Sequence, residues 1–187
     1  MTIELNLPTN LTLLRIALIP LLTVIFYVPW EYSNLACTLI FIIAGLTDWL
    51  DGYLARRMQQ ETPFGAFLDP VADKLMVAIV LVLIVQQQPN PYLAIPAAVI
   101  IGREITIASL REWMAEIGKR AKVKVSQLGK WKTTAQMLSI TLLLYREDIA
   151  GLPVNTVGYV LLYIAAILTL WSMVNYLSAA LAAMKEK

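Results

Sequence analysis

The chain has 187 residues, of which 59% are hydrophobic and only 15% are charged, and its mean hydropathy is +0.68. Soluble domains have roughly half apolar and about a quarter charged residues, so this composition argues against a soluble domain and indicates a membrane protein. The chain has one cysteine, Cys37, and no histidine, which excludes an internal disulfide, histidine-based catalysis and the commonest zinc sites. Any bound metal must therefore be held by oxygen ligands.

Six apolar segments follow one another, approximately over residues 10–29, 34–56, 64–86, 91–113, 130–146 and 155–183. The second and third carry LACTLIFIIAGL and LMVAIVLVLIV, which are typical of membrane spans rather than of soluble core helices. A bilayer requires backbone polar groups to be satisfied internally, so the spans are expected to be helices. We therefore predict an all-α integral membrane protein with six transmembrane helices, in a single domain over residues 1–187.

Lysine and arginine are distributed unequally between the two sides that six spans define. One side carries both termini, the 57–63 loop and the 114–129 connection, and most of the basic residues lie in or beside these segments. The other side has only Arg146, next to two acidic residues. Because cytoplasmic loops carry an excess of Lys and Arg, both termini are predicted to be cytoplasmic. Basic residues in the 114–129 connection are expected to attract anionic membrane lipids: Lys119, Arg120, Lys122 and Lys124.

Four aspartates lie at the cytoplasmic ends of the second and third segments, within TDWLDGYLARRMQQETPFGAFLDPVADK (47–74). Asp48 and Asp51 share one helix face, and Asp69 and Asp73, one turn apart, share another. Consecutive helices joined by a short loop are antiparallel neighbours, so the two acidic faces are expected to meet. Packed carboxylates repel one another, and Mg²⁺ or Mn²⁺ relieves that repulsion while bridging to substrate phosphates.

One aspartate at a span end is more often a helix cap or a solvated residue than a ligand, but four on facing arcs favour a metal site. The neighbouring residues fit that interpretation. Gly52, Ala55 and Gly65 have little or no side chain and leave room for a bulky ligand. Arg56 offers a planar fork that pairs with phosphate. The pattern therefore predicts a site for Mg²⁺ or Mn²⁺ and a phosphate-bearing ligand.

These residues match a known signature. DWLDGYLAR (48–56), an eight-residue spacer and GAFLDPVAD (65–73) reproduce D-x-x-D-G-x-x-A-R…G-x-x-x-D-x-x-x-D at every specified position. The chain thus resembles the CDP-alcohol phosphatidyltransferases. Similarity to members that use sn-glycerol 3-phosphate extends over most of the chain, through stretches such as NLPTNLTLLRIALIP (6–20) and GKWKTTAQM (129–137). The resemblance implies six transmembrane helices, a cytoplasm-facing two-metal site and a homodimer.

The resemblance further implies transfer of the phosphatidyl group of CDP-diacylglycerol to sn-glycerol 3-phosphate, which gives phosphatidylglycerol phosphate and CMP at the bacterial cytoplasmic (inner) membrane. Carried over by position, Asp48, Asp51 and Asp69 hold metal. Asp73 completes a second metal site and is the expected general base on the glycerol hydroxyl. The residues expected to bind CDP-diacylglycerol are Thr9, Asn10, Thr12, Gly52, Ala55, Arg56, Thr62 and Gly65.

The acceptor carries a phosphate, so its site needs cations beyond Arg56. An arginine within a span is costly and usually functional, which draws attention to Arg103. The alternative is that Arg103 pairs with the adjacent Glu104 or another buried acid. The residues predicted to bind the acceptor phosphate are Arg103, Arg111, Lys130 and Lys132.

Two alternatives for the function stay open. The first is the same scaffold with another acceptor, namely serine, inositol phosphate or phosphatidylglycerol, because the metal motif does not distinguish between these alcohols. The second is a divalent-cation transporter. Transporter sites tend to lie near the bilayer midplane between repeated halves, whereas these aspartates cluster at one face and have no second copy. No nucleic-acid partner is expected.

Overall fold

The computed structural model describes residues 6–58, 62–118 and 127–185. Within these ranges, the side chains are not described at 8, 49, 52–58, 63, 127–130 and 182–185, where only the backbone is. Within these ranges the chain forms six α-helices: α1 Leu7–Tyr27, α2 Ser33–Met58, α3 Pro63–Gln87, α4 Pro91–Glu116, α5 Gln127–Tyr145 and α6 Val154–Lys185. Each begins and ends within three residues of a predicted segment, which confirms the all-α class. The basic cluster at 119–124 lies outside the described residues.

Three helices contain stretches that are long and apolar enough to cross a membrane: Thr9–Tyr27 in α1, Pro91–Glu116 in α4 and Val154–Leu181 in α6. A membrane span needs about 20 predominantly apolar residues, which each of these stretches approaches or exceeds. Large apolar side chains are exposed along them, for example Val24, Ile95 and Ile167, each at about 60%. This exposed apolar surface is typical of helices that contact lipid.

Side-chain caps fix where several helices begin. The Asn6 carboxamide oxygen accepts from the backbone N–H of Thr9 at 3.0 Å at the start of α1. The Thr62 hydroxyl accepts from the backbone N–H of Gly65 at 3.0 Å at the start of α3. Asn90 caps α4 through Leu93 N–H at 2.9 Å. Such caps satisfy N–H groups that have no partner inside the helix, and two of these caps lie beside the candidate site.

The described chain divides into two compact units. The first contains the described residues up to Gln87 together with Thr141–Asn155, and therefore holds α1, α2 and α3. In this unit α1 packs against both α2 and α3, whereas α2 and α3 contact each other less extensively. Leu22, Phe41 and Val80 are fully buried among these helices. The helix α1 therefore contributes side chains to the region where the two acidic segments approach each other.

The second unit contains Gln88–Ile140 and the described residues from Thr156 onward, and so holds α4, most of α5 and most of α6. Polar side chains connect its helices. The hydroxyl of Ser139 on α5 donates to the carbonyl of Gly158 on α6 at 2.7 Å. The hydroxyl of Tyr159 on α6 donates to Gln88 Oε1 at 3.0 Å. Ile100 and Leu162 are fully buried in its apolar core.

Candidate active site

Three carboxylates of the sequence motif come together in the first unit. Asp48 and Asp51 lie one turn apart on α2, and Asp69 lies in the second turn of α3. One carboxylate oxygen from each lies within 4.8 Å of the other two. The side chain of Asp51 is 2% exposed, whereas those of Asp48 and Asp69 are 47% and 42% exposed. The cluster is therefore buried at Asp51 and accessible to solvent at Asp48 and Asp69.

The guanidinium of Arg15 on α1 binds this cluster. Its Nη1 donates to Asp48 Oδ1 at 2.7 Å, and its Nη2 donates to Asp51 Oδ2. Nη1 also lies 4.0 Å from Asp69 Oδ1. Arg15 itself is only 2% exposed. A planar guanidinium fork is suited to bridging two carboxylates, and here it connects α1 to both aspartates of α2.

Thr12, one turn before Arg15 on α1, is the second contact between α1 and the carboxylates. Its hydroxyl lies 3.0 Å from Asp69 Oδ1 and 3.4 Å from Asp51 Oδ2, which places it between α2 and α3. Thr12 is 2% exposed. Hydrogen bonds to charged acceptors are stronger than those between neutral groups, so Thr12 helps to fix the orientation of both carboxylates.

A smaller polar network joins the starts of α1 and α3. The hydroxyls of Thr9 and Thr62 lie 3.2 Å apart, and Thr9 also donates to Asn6 Oδ1 at 2.7 Å. A Cβ added to Gly65 would lie 3.0 Å from the Thr62 hydroxyl and 3.1 Å from that of Thr9. The absence of a side chain at Gly65 therefore allows this close approach of α1 and α3. Asn10 is exposed, unlike Thr9 and Thr12 on the buried face of α1.

Of the remaining predicted residues in the first unit, Asp73 lies one turn after Asp69 on α3. Asp73 is exposed and does not belong to the group of three converging carboxylates. The backbone of α2 continues through Gly52, Ala55 and Arg56, but their side chains lie outside the described part of the chain. The predicted roles of these four residues stay predictions.

The second unit contains the cations that were predicted to bind the acceptor phosphate. Arg103 on α4 is 8% exposed, and its Nη1 donates to Glu104 Oε1 at 2.9 Å. Lys132 on α5 is 7% exposed, and its Nζ donates to the same oxygen at 2.6 Å. Arg103 also donates to the Ser172 hydroxyl on α6 at 3.1 Å. The pairing of Arg103 with Glu104, the alternative drawn from the sequence, is thus present, and one carboxylate serves two cations.

The other two predicted cations differ from this buried pair. Arg111 is exposed near the end of α4, where its guanidinium lies 5.0 Å from the centre of the Tyr176 ring. It also donates to the Tyr176 hydroxyl at 2.8 Å. Lys130 belongs to the first turn of α5, and its side chain lies outside the described residues. Among the described side chains, two of the four predicted cations therefore share one carboxylate: Arg103 and Lys132 both contact Glu104.

The sequence profile of the CDP-alcohol phosphatidyltransferase family matches residues 5–171. The chain belongs to this family. The match includes the three converging aspartates and both α1 residues that contact them.

Several curated bacterial relatives carry the name CDP-diacylglycerol–glycerol-3-phosphate 3-phosphatidyltransferase. The protein from Haemophilus influenzae is 57% identical over 175 residues, which cover 94% of this chain and 93% of the relative. Those from Yersinia enterocolitica and Sodalis glossinidius are 56% and 55% identical over 177 residues, covering 95% of this chain and 96% of each relative. Identity at this level, over nearly the whole length, places the chain near these members of the family.

The donor set of the aspartate cluster suits a metal of the kind that the family motif implies. Mg²⁺ and Mn²⁺ favour carboxylate oxygens, and the three converging groups are all carboxylates. Among the described side chains, three carboxylates contact one guanidinium, which leaves negative charge for a divalent cation to neutralise. The residues present therefore fit Mg²⁺ or Mn²⁺, and Asp48, Asp51 and Asp69 are the ones that would hold it.

Two features of the site were not found from the sequence. Arg15 and Thr12 both contact the carboxylates, whereas the sequence predicts a role for Thr12 alone, in the donor pocket rather than at the aspartates. A signal for Arg15 was available, because an arginine inside an apolar segment is costly and usually paired with a functional group. No signal in the sequence showed that Lys132 would share Glu104 with Arg103, because Lys132 and Glu104 are separated by 28 positions.

Proposed function

We propose that the protein transfers the phosphatidyl group of CDP-diacylglycerol to sn-glycerol 3-phosphate and releases phosphatidylglycerol phosphate and CMP. The observation that carries this proposal is the convergence of three motif carboxylates within 4.8 Å at one end of α2 and α3. The names of relatives that are 55–57% identical over almost the whole chain support the choice of donor and acceptor.

In this proposal Asp48, Asp51 and Asp69 hold Mg²⁺ or Mn²⁺, and Asp73 completes a second metal site. The bound metal would neutralise the pyrophosphate of the donor and stabilise the charge that develops on the departing CMP. The half-exposed side chains of Asp48 and Asp69 support access of a charged ligand from the aqueous side. The position of the buried Asp51 is fixed, since Arg15 donates to it and the Thr12 hydroxyl lies 3.4 Å from its Oδ2.

Asp73 is the proposed general base. A base must come within hydrogen-bond reach of the attacking hydroxyl, and an exposed carboxylate one turn from the metal ligand Asp69 meets the access requirement for a soluble acceptor. The hydroxyl oxygen of glycerol 3-phosphate forms the new bond to the lipid-linked phosphorus, and its proton passes to Asp73. The phosphorus–oxygen bond to CMP breaks, so no covalent enzyme intermediate is needed.

The donor pocket is proposed to involve the first turns of α1 and α3 and the motif part of α2. The contact between the Thr9 and Thr62 hydroxyls, beside the close approach at Gly65, supports a polar surface at this point. The proposed donor-binding residues are those carried over from the family motif and from α1: Thr9, Asn10, Thr12, Gly52, Ala55, Arg56, Thr62 and Gly65.

The phosphate of the acceptor is proposed to bind cations of the second unit. Arg103 and Lys132 are both buried and share the carboxylate of Glu104, which leaves one positive charge in surplus among the described side chains. Arg103 Nε is buried and has no hydrogen-bond partner among the described residues. A buried donor without a partner is costly, so both features support an anionic ligand here. Arg111 and Lys130 are proposed as further contacts.

The protein is proposed to be a multi-pass protein of the bacterial cytoplasmic membrane with all six helices as spans, cytoplasmic termini and a homodimeric assembly. The three long apolar helices support the membrane location, and the distribution of basic residues supports the cytoplasmic termini. The homodimer is carried over from the family resemblance. One family profile extends over residues 5–171, which supports the expected single domain.

A panel assay tests the proposal against its alternatives. The purified protein is incubated with Mg²⁺, CDP-diacylglycerol and one acceptor at a time: sn-glycerol 3-phosphate, serine, inositol phosphate or phosphatidylglycerol. We expect CMP and phosphatidylglycerol phosphate with sn-glycerol 3-phosphate alone. CMP release with one of the other alcohols instead would reassign the acceptor. No CMP with any of them would refute the transferase function and leave the cation transporter as the remaining candidate.

A further inference from the structure

Arg15 is a charged residue in an unusual place. It lies in the middle of α1, within the apolar stretch Thr9–Tyr27 that is long enough to cross a membrane, and it is 2% exposed. An arginine in such a position is costly unless a specific partner compensates its charge. Its partners are the three converging carboxylates. The positive charge of Arg15 is thus compensated by the same groups that are proposed to hold the metal.

The guanidinium and a divalent cation compete for the same space. Arg15 connects Asp48 to Asp51 with one nitrogen on each, and its Nη1 is 4.0 Å from Asp69. Mg²⁺ binds its ligand oxygens at about 2.1 Å, so two oxygens that share one ion lie about 3 Å apart when adjacent and about 4 Å apart when opposite. One oxygen from each of the three carboxylates lies within 4.8 Å of the others, so small shifts would bring them around one ion. The Arg15 nitrogens already contact Asp48 Oδ1 and Asp51 Oδ2, so an ion that bound these same oxygens would have to displace them.

Electrostatics adds to this geometric conflict. A guanidinium and a divalent cation a few ångströms apart repel each other strongly where water is largely excluded, as it is around the buried Arg15 and Asp51. A lysine could lose its proton to relieve such repulsion, but an arginine side chain remains charged in proteins. The only relief available to Arg15 is movement away from the carboxylates.

We propose that Arg15 is an internal competitor of the metal, which binds Asp48 and Asp51 in alternation with the divalent cation. This inference rests on the proposed metal-binding role of the aspartates. Arg15 acts on the reaction through those carboxylates and is thus a positioning residue. It keeps the buried Asp51 compensated whenever the metal leaves, and it lowers the affinity for the metal, because each binding event must displace the guanidinium.

The test is a binding isotherm for Mn²⁺, measured by electron paramagnetic resonance on purified protein in detergent, without substrates. The variants are Arg15→Gln, which removes the charge, and Arg15→Lys, which keeps the charge but loses the fork. The control is Arg146→Gln, which removes one positive charge from the residue that follows α5. We expect the Kd for Mn²⁺ to fall at least about tenfold in Arg15→Gln and at least about threefold in Arg15→Lys, and to stay unchanged in the control.

Tightening is a result that damage to the fold would not produce, because a disordered site binds metal more weakly. An unchanged or higher Kd in both Arg15 variants would overturn the competition. If Arg15→Gln does not fold, Arg15→Lys decides by the same criterion. The isotherm of Asp69→Asn separates this inference from the proposed function. If that variant binds Mn²⁺ as the wild type does, the metal site itself is wrong and both proposals fail. If it binds Mn²⁺ more weakly and the Arg15 variants do not tighten, only the competition fails.

Discussion

Replacing Asp51 by asparagine is expected to destabilise the protein more than the same change at Asp48, although both residues bind Arg15. Asp51 and Arg15 are each 2% exposed, so their ion pair is buried. Removing one partner of a buried pair costs about 3–5 kcal/mol, because the other charge loses its compensation. Asparagine keeps an oxygen that can accept from Arg15, and Asp48 still binds the guanidinium at 2.7 Å. We therefore expect the low end of this range, about 3 kcal/mol.

The side chain of Asp48 is 47% exposed, so water screens its pairing with Arg15. For Asp48→Asn we expect a loss of about 1 kcal/mol. At about 2–4 °C per kcal/mol for a chain of this size, the two variants should lower the melting temperature by about 6–12 °C and about 2–4 °C. Thermal unfolding of the purified proteins in one detergent, with EDTA to remove stabilisation by bound metal, measures the difference. A melting temperature that falls as far in Asp48→Asn as in Asp51→Asn would refute the reasoning from burial.

Three further predictions concern other residues of the two units. Gly65→Ala should destabilise the protein by about 1 kcal/mol or more, because the added Cβ would lie 3.0 and 3.1 Å from two threonine hydroxyls. Its control, Gly102→Ala, should be neutral or stabilising in the same unfolding assay, since a Cβ there meets nothing within 4 Å. Arg103→Ala should raise the KM for sn-glycerol 3-phosphate at least about tenfold with binding of the donor intact, and an unchanged KM would exclude a phosphate contact. Asp73→Asn should abolish CMP release while CDP-diacylglycerol still binds, and near-normal turnover would exclude it as the base.

The helices and the identity of the carboxylates could be predicted from the sequence because both depend on local patterns. Runs of apolar residues interrupted by proline defined all six helices to within three residues at each end. The spacing of Asp48 and Asp51 along one helix, and the position of Asp69 on the next, predicted that these carboxylates would meet. The structure confirms this convergence.

What could not be predicted is that α1 packs against both acidic segments. The short loop predicts that α2 and α3 are neighbours, and among the described residues α1 packs more extensively against each of them than they do against each other. This placement depends on the fit of whole helix surfaces and not on any local pattern. It is the reason that Arg15 and Thr12 contact the carboxylates, and the reason that the role of Arg15 was not foreseen.

The same limit applies to the second unit. An arginine within a span pointed to Arg103, and its neighbour Glu104 was the obvious alternative partner. The contribution of Lys132 depends on α5 lying beside α4, which the sequence does not specify. The outcome is one carboxylate between two buried cations, at 2.9 and 2.6 Å. The pairing of Arg103 with Glu104 is therefore present, and the binding of the acceptor phosphate by Arg103 stays a prediction.

The central claim is that the three converging carboxylates hold the metal on which phosphatidyl transfer depends. It is tested most directly by titrating Mg²⁺ into the wild type and Asp69→Asn while CMP release from CDP-diacylglycerol and sn-glycerol 3-phosphate is measured. Asp69 is the ligand that α3 supplies, and its side chain is 42% exposed, so its replacement should leave the fold intact. We expect the half-saturating Mg²⁺ concentration to rise at least about tenfold in Asp69→Asn, because the ion loses a charged ligand. The same half-saturating concentration in both proteins would contradict the claim.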